Sequence, residues 1–133
     1  MSYLVDTDWT ADWLKGRAAA VTLLRSLASA GLRISAVTVA EIYEGIYYGR
    51  DPANQERAFR QFRRFVATVP LTQPVLKRFA RERGALRAQG LLIGDFDLLI
   101  AATALVHGDT LVTRNVRHFQ RIPGLLLYQP TNT

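Results

Sequence analysis

The sequence predicts an α/β sandwich on a mostly parallel sheet, and three observations carry that reading. Short apolar, often β-branched segments alternate with longer segments of helical periodicity. The apolar fraction, 49% of 133 residues, is enough for one domain with a real core. Polar residues stand just past two of the apolar segments, Asp6 and Asn115, where open parallel sheets carry their ligand sites.

Residues 3–6 form a short buried strand candidate that closes on Asp6. Asp8 is placed to N-cap a helix beginning at Trp9, with Gly16 near its end. Residues 18–30 read as a helix with Leu23, Leu24 and Leu27 on one face and Gly31 as C-cap. Residues 32–37 alternate and are β-branched at Ile34 and Val37, the mark of a strand. Thr38 then caps a helix to about Gly49, on which Ile42, Gly45 and Ile46 share a face. Asp51-Pro52 starts the next helix. Its Phe59, Phe62, Phe65 and Val66 are expected to face the core, and Arg57, Arg60, Arg63 and Arg64 to cover the other faces.

Residues 69–71 are a short strand candidate. Gln73-Pro74 leads into a helix carrying Val75, Phe79 and Leu86 that ends near Gly90. Asp95 or Asp97 opens an unusually apolar helix through His107, one of the two serving as its N-cap. Gly108-Asp109 is a turn, residues 111–113 a strand, 116–119 a helical turn and 125–127 a last strand.

The formal charge is +6, and a basic domain of this size often meets a polyanion. Ordinary solubility explains the same charge. No apolar run is long enough for a transmembrane helix, and no secretory signal is visible at Met1-Ser2-Tyr3-Leu4. The absence of cysteine excludes disulfides and thiolate metal sites and accords with a cytoplasmic protein.

Four polar residues at the edges of apolar segments are the candidate site: Asp6, Glu41, Asp97 and Asn115. A carboxylate at such an edge loses solvation unless something compensates it, and a shared divalent cation does so for several at once. With Asp8 taken as the cap, Asp6 has no structural task, and hard cations prefer its oxygens. Glu41 has a local explanation, since Thr38 to Glu41 matches a capping box. Asp97 hangs at the rim of the core, where repulsion by Asp6 would raise its pKa. Asn115 offers an oxygen and an amide donor, either to cap residues 116–118 or to touch a metal-bound water. Thr113 and Arg114 beside it are candidates for phosphate contact. His107 and His118 read as structural or helix-end residues.

Here the pattern resembles PIN domains. Asp6-Thr7-Asp8 resembles their opening motif, and Val39-Ala40-Glu41-Ile42 with Gly45 their second acidic motif. More specific is Asp97-Leu98-Leu99-Ile100-Ala101-Ala102-Thr103-Ala104, followed by Leu111-Val112-Thr113-Arg114-Asn115, Phe119 and Ile122-Pro123-Gly124-Leu125. That block is similar to the C-terminal half of VapC-type PIN-domain toxins, and the likeness runs from Tyr3 to about Pro130. The resemblance implies a three-layer α/β/α sandwich and Mg²⁺- or Mn²⁺-dependent RNA cleavage. It implies neutralisation by a small antitoxin, operator DNA reached only through that antitoxin, a homodimer, and no membrane. Asp6, Glu41 and Asp97 match the family's three acidic positions, with Asp6 and Asp97 expected to hold the metal and Thr7 and Thr113 to orient ligands by hydrogen bonds. Asn115 matches a fourth position that often carries Asp, so the site loses one negative charge.

Arg57, Arg60 and Arg64, with Arg78, Arg81 and Arg87, are candidate phosphate contacts, against the plain reading of solvated helix faces. Tyr43, Tyr47, Tyr48 and Trp13 are candidates for RNA stacking, and a protein-binding role is favoured for the Tyr43–Tyr47 stripe. Two other classes remain. A PIN-like module would bind RNA or protein without cutting. A phosphoacceptor receiver domain would need an Asp after its third strand, which is absent near Val69-Pro70-Leu71.

Overall fold

The computed structural model describes residues 2–129; Met1 and residues 130–133 lie outside it, including the Pro130 at which the family likeness ends. Element order is β1 (Tyr3–Val5), α1 (Thr7–Leu14), α2 (Ala18–Leu27) with a 3-10 turn at Ala28–Ala30, β2 (Leu32–Ser35) and α3 (Ala36–Tyr47). There follow α4 (Pro52–Phe62), β3 (Ala67–Val69), α5 (Gln73–Ala88), α6 (Asp95–His107), β4 (Thr110–Val112), α7 (Val116–Phe119) and β5 (Leu126–Leu127). The five strands form one sheet in the order β3-β2-β1-β4-β5, and every neighbouring pair is parallel.

Helices cover both faces, which gives the three-layer α/β/α sandwich. Successive strand residues point to opposite faces. Leu4 and Leu111 therefore pack with Leu86, Leu98, Ile100 and Phe119, from α5, α6 and α7. Val5 and Val112 pack with Leu14, Leu24, Ile42, Phe59 and Phe62, from α1 to α4. Burial on both sides is why β1 and β4 are uninterrupted apolar runs. Across the amino ends of the strands, Arg33 of β2 reaches Asp109, the residue before β4, at 2.5 Å, tying the two neighbours of β1 together.

The observed boundaries correct several expectations. Asp6, not Asp8, caps α1: the chain turns from strand to helix without a spacer, and the Asp6 carboxylate accepts from the Thr7 amide at 2.8 Å. Ser35, not Thr38, caps α3, accepting from Val37 N–H, so Ala36 and Val37 are helical. β3 ends at Val69, two residues before the expected end, because Pro70 has no N–H for the ladder. Phe65 is 47% exposed. Helix α4 stops at Phe62, so the aromatic spacing no longer tracks one face, and Phe65 instead rests against Trp13. Neither Asp95 nor Asp97 caps α6; Gly94 takes that position, and Asp95 pairs outside with Arg83 at 2.8 Å. Among the described residues no helix is long and apolar enough to cross a membrane.

Candidate functional site

β1 lies between β2 and β4. The chain winds outward from it one way through β2 and β3 and the other way through β4 and β5. The carboxyl ends of β1 and β4 thus flank a topological switch point, where open α/β sheets form a crevice. Asp6 and Asn115 both emerge there. The backbone N–H of Asp6 donates to Val112 O at 2.9 Å, extending the pairing one residue beyond β1.

The Asp6 side chain is only 5% exposed. Its Oδ1 accepts from Thr7 N–H and its Oδ2 from the Thr113 hydroxyl at 2.7 Å. Thr113 in turn accepts from Asn115 N–H at 3.0 Å, so a short relay runs from the β4–α7 loop into Asp6. Burial pushes the Asp6 carboxyl up to about 7, and the neighbouring charges of Asp8 and Asp97 add to this; the hydrogen bonds from Thr113 and Thr7 oppose it.

Asp97 lies in the first turn of α6, half-buried. Burial raises its pKa as well, with Asp8 adding to the effect, while His118 and the Asn115 amide oppose it. The Asn115 amide nitrogen stands 3.4 Å from Asp97 Oδ2 and 2.9 Å from His118 Nδ1. Its side chain does not cap α7, as one reading of the sequence allowed; it bridges a carboxylate and an imidazole.

Glu41 joins this group through Thr7. The Thr7 hydroxyl is 2.7 Å from Glu41 Oε1 and 3.1 Å from Thr38 Oγ1. A hydroxyl has one proton to give, so Thr7 donates to the carboxylate and accepts from Thr38. Because Ser35 caps the helix, the capping-box explanation of Glu41 falls away. Asp6, Asp97 and Asn115 therefore meet at the switch point, and Glu41 is attached one residue along from Asp6.

Two participants were missed or misassigned in the sequence. Asp8 was read as a cap, yet it acts on both Asp6 and Asp97, and its Oδ2 accepts from Arg114 N–H at 2.9 Å. Its place two residues after Asp6 was the available signal. His118 was set aside but stands on the Asn115 amide. Thr113 was read both as a phosphate contact and as a residue orienting ligands by hydrogen bonds, and its hydroxyl is engaged by Asp6 in the second way. Arg114 is likewise occupied: its guanidinium pairs with Asp12 at 2.5 Å and lies over the Trp9 ring at 3.8 Å.

The donor set suits a hard divalent cation. It consists of carboxylate oxygens, and the buried Asp6 bears the repulsion of two further acids. Among the described residues no three Asp, Glu or His side chains converge as a ready-made cage. Mg²⁺ does not need one, since it is held by one or two carboxylates and keeps several waters. Asp6 and Asp97 fit that role.

Comparison with known proteins identifies the family. The PIN domain family model matches residues 3–125, and the chain belongs to the PIN-domain family. It is 32% identical to ribonuclease VapC1 of Methanocaldococcus jannaschii over 127 residues, which is 94% of this chain and 85% of that protein. It is 33% identical to ribonuclease VapC19 of Mycobacterium tuberculosis over 124 residues, 92% and 95% of the two chains. In structure it is similar to VapBC2 from Rickettsia felis bound to a DNA fragment from their promoter, with TM-score 0.90, 28% identity and 96% and 98% coverage. Within the family, the chain is therefore of the VapC type.

Proposed function

We infer that the chain is an endoribonuclease, the toxin of a toxin–antitoxin pair, and that it hydrolyses RNA phosphodiester bonds at the switch-point crevice with Mg²⁺, or Mn²⁺ in its place. The observation that carries the site assignment is the buried Asp6 carboxylate beside Asp8 and Asp97, a concentration of like charge that a cation relieves. Its VapC relatives are ribonucleases, and solved relatives are VapBC complexes. A bound Mg²⁺ would polarise a phosphate oxygen and lower the pKa of its water.

The chain's own residues supply the rest. Asp6 and Asp97 hold the ion, and Glu41 completes the acidic rim. Thr113 and Thr7 fix the Asp6 and Glu41 carboxylates, as outer hydrogen bonds do at metal sites. Asn115 orients Asp97 and an attacking water. Exposed arginines such as Arg60 and Arg64 attract the RNA backbone by charge. The antitoxin is expected on the flank of α1, α3 and α4. There a concavity of about 320 Å³ is lined by Ala11, Leu14, Ile42 and Ile46, and the stacked Tyr43–Tyr47 pair lies on the same helix α3. Homodimerisation and action in the cytoplasm complete the proposal.

Cleavage of structured RNAs tests it. Wild type should yield products only with divalent cation, and Asp97→Asn should yield none while keeping its helical spectrum. Wild-type turnover by that variant overturns the site assignment. RNA binding without metal-dependent products is the result expected of a non-cleaving PIN-like module.

A further inference from the structure

A second concavity, of about 460 Å³, opens beside the β4–α7 loop and is lined by Trp9, Leu23, Thr113, Arg114, Val116 and Tyr128, among others. It shares a wall with the acidic crevice. Thr113 lines it while donating to Asp6, and Arg114 lines it while its backbone N–H serves Asp8. A group seated here is therefore one residue removed from the site of phosphate chemistry.

Its walls are flat and held in place. The Arg114 guanidinium lies over Trp9 and is fixed by Asp12, yet its side chain remains 44% exposed. Tyr128 is anchored by its N–H to Leu111 O at 2.9 Å, and its ring meets Tyr3 edge-on at 6.0 Å. Leu23 and Val116 supply apolar edges. A bridge between α1 and the β4–α7 loop needs only the Asp12 pair; stacking on Trp9 with an open outer face adds a platform. Aromatic and guanidinium planes are the groups on which unpaired bases stack. By contrast, the concavity beside Glu41 has aliphatic walls and offers neither ring nor guanidinium.

We propose that the cavity between Trp9, Arg114 and Tyr128 is a nucleobase subsite, which seats one base flanking the cleaved phosphate and sets a base preference. The proposal rests on the ribonuclease reading. It predicts a requirement for a base on one side of the scissile bond only.

The test uses short RNAs and the same RNAs made abasic at one position at a time. Binding is read by fluorescence anisotropy in EDTA, and cleavage is read separately with Mg²⁺. One abasic position should weaken wild-type binding about ten- to a hundredfold, the range of a single stacked base. Leu23→Trp, which fills the cavity, should bind intact and abasic RNA alike; Tyr128→Ala serves if that variant does not fold, and should lose most of the difference. Equal wild-type binding of intact and all abasic RNAs overturns the subsite, even where cleavage proceeds. So does full discrimination by a folded, cavity-filled variant, including one that has lost only its antitoxin. Discrimination without any cleavage would retain the subsite and reject the ribonuclease reading.

Discussion

Replacing Asp6 with asparagine should stabilise the metal-free protein while abolishing cleavage. The folded-state pKa of Asp6 is raised to about 7 from its ordinary 3.8, chiefly by burial. Between those two values the folded chain keeps a proton that the unfolded chain has released. Stability therefore falls as pH rises from about 4 to about 7, and the full loss persists above that. At about 1.4 kcal/mol per pH unit the ceiling is about 4 kcal/mol.

The asparagine side chain is a neutral isostere and would escape this cost. Its amide would face Thr113, whose hydroxyl already accepts from Asn115 N–H. The hydroxyl must then accept twice and leave its own proton unpaired, which costs about 1–2 kcal/mol. A net gain of about 2–3 kcal/mol at pH 8 remains, or roughly 10 °C in Tm for a chain of this size. Thermal unfolding in EDTA from pH 4 to pH 8 reads it directly. The variant should be about 1–2 kcal/mol less stable than wild type near pH 4, and the order should reverse as pH rises. Added Mg²⁺ should raise the Tm of wild type and not that of the variant. Equal stability at pH 8, or a difference that does not change with pH, would refute the reasoning.

Thr113→Val removes the donor to Asp6 Oδ2 and should weaken divalent-ion binding about 10- to 100-fold, measured by calorimetry, with the fold retained. Arg33→Ala leaves the buried Asp109 without its cation and should cost about 3 kcal/mol in urea unfolding; Arg33→Met with Asp109→Leu should recover most of that loss. Asn115→Asp places a second carboxylate near Asp97 and should destabilise the protein in EDTA while tightening Mg²⁺ binding, and unchanged values in both measurements would contradict the charge argument.

Much of the fold was legible because it is local. The helix on residues 52–62 follows from Asp51-Pro52 and from the spacing of Phe59 and Phe62, all within a few turns of one another. The apolar runs at Leu4-Val5 and Leu111-Val112 announce strands buried on both faces. Caps were less legible. Asp6 and Asp8, or Ser35 and Thr38, are equivalent in composition, and the choice between them depends on where the chain turns out of the sheet.

The candidate site divides along the same line. Asp6 and Asn115 stand out in the sequence because each follows an apolar segment, and Asp97 because it opens one; likeness to the PIN family added Glu41. That β4 lies beside β1, and so brings Thr113 to Asp6 across more than a hundred residues of chain, is a property of the sheet order alone. The entry of Asp8 into the acidic field, the bridge from Asp97 through Asn115 to His118, and the link from Thr7 to Glu41 are likewise tertiary. Sequence determined which residues could bear charge at strand ends, since periodicity is encoded residue by residue. Only the folded chain decided which of those charges share one desolvated crevice, because burial and Coulomb repulsion depend on distances between segments that the sequence keeps far apart.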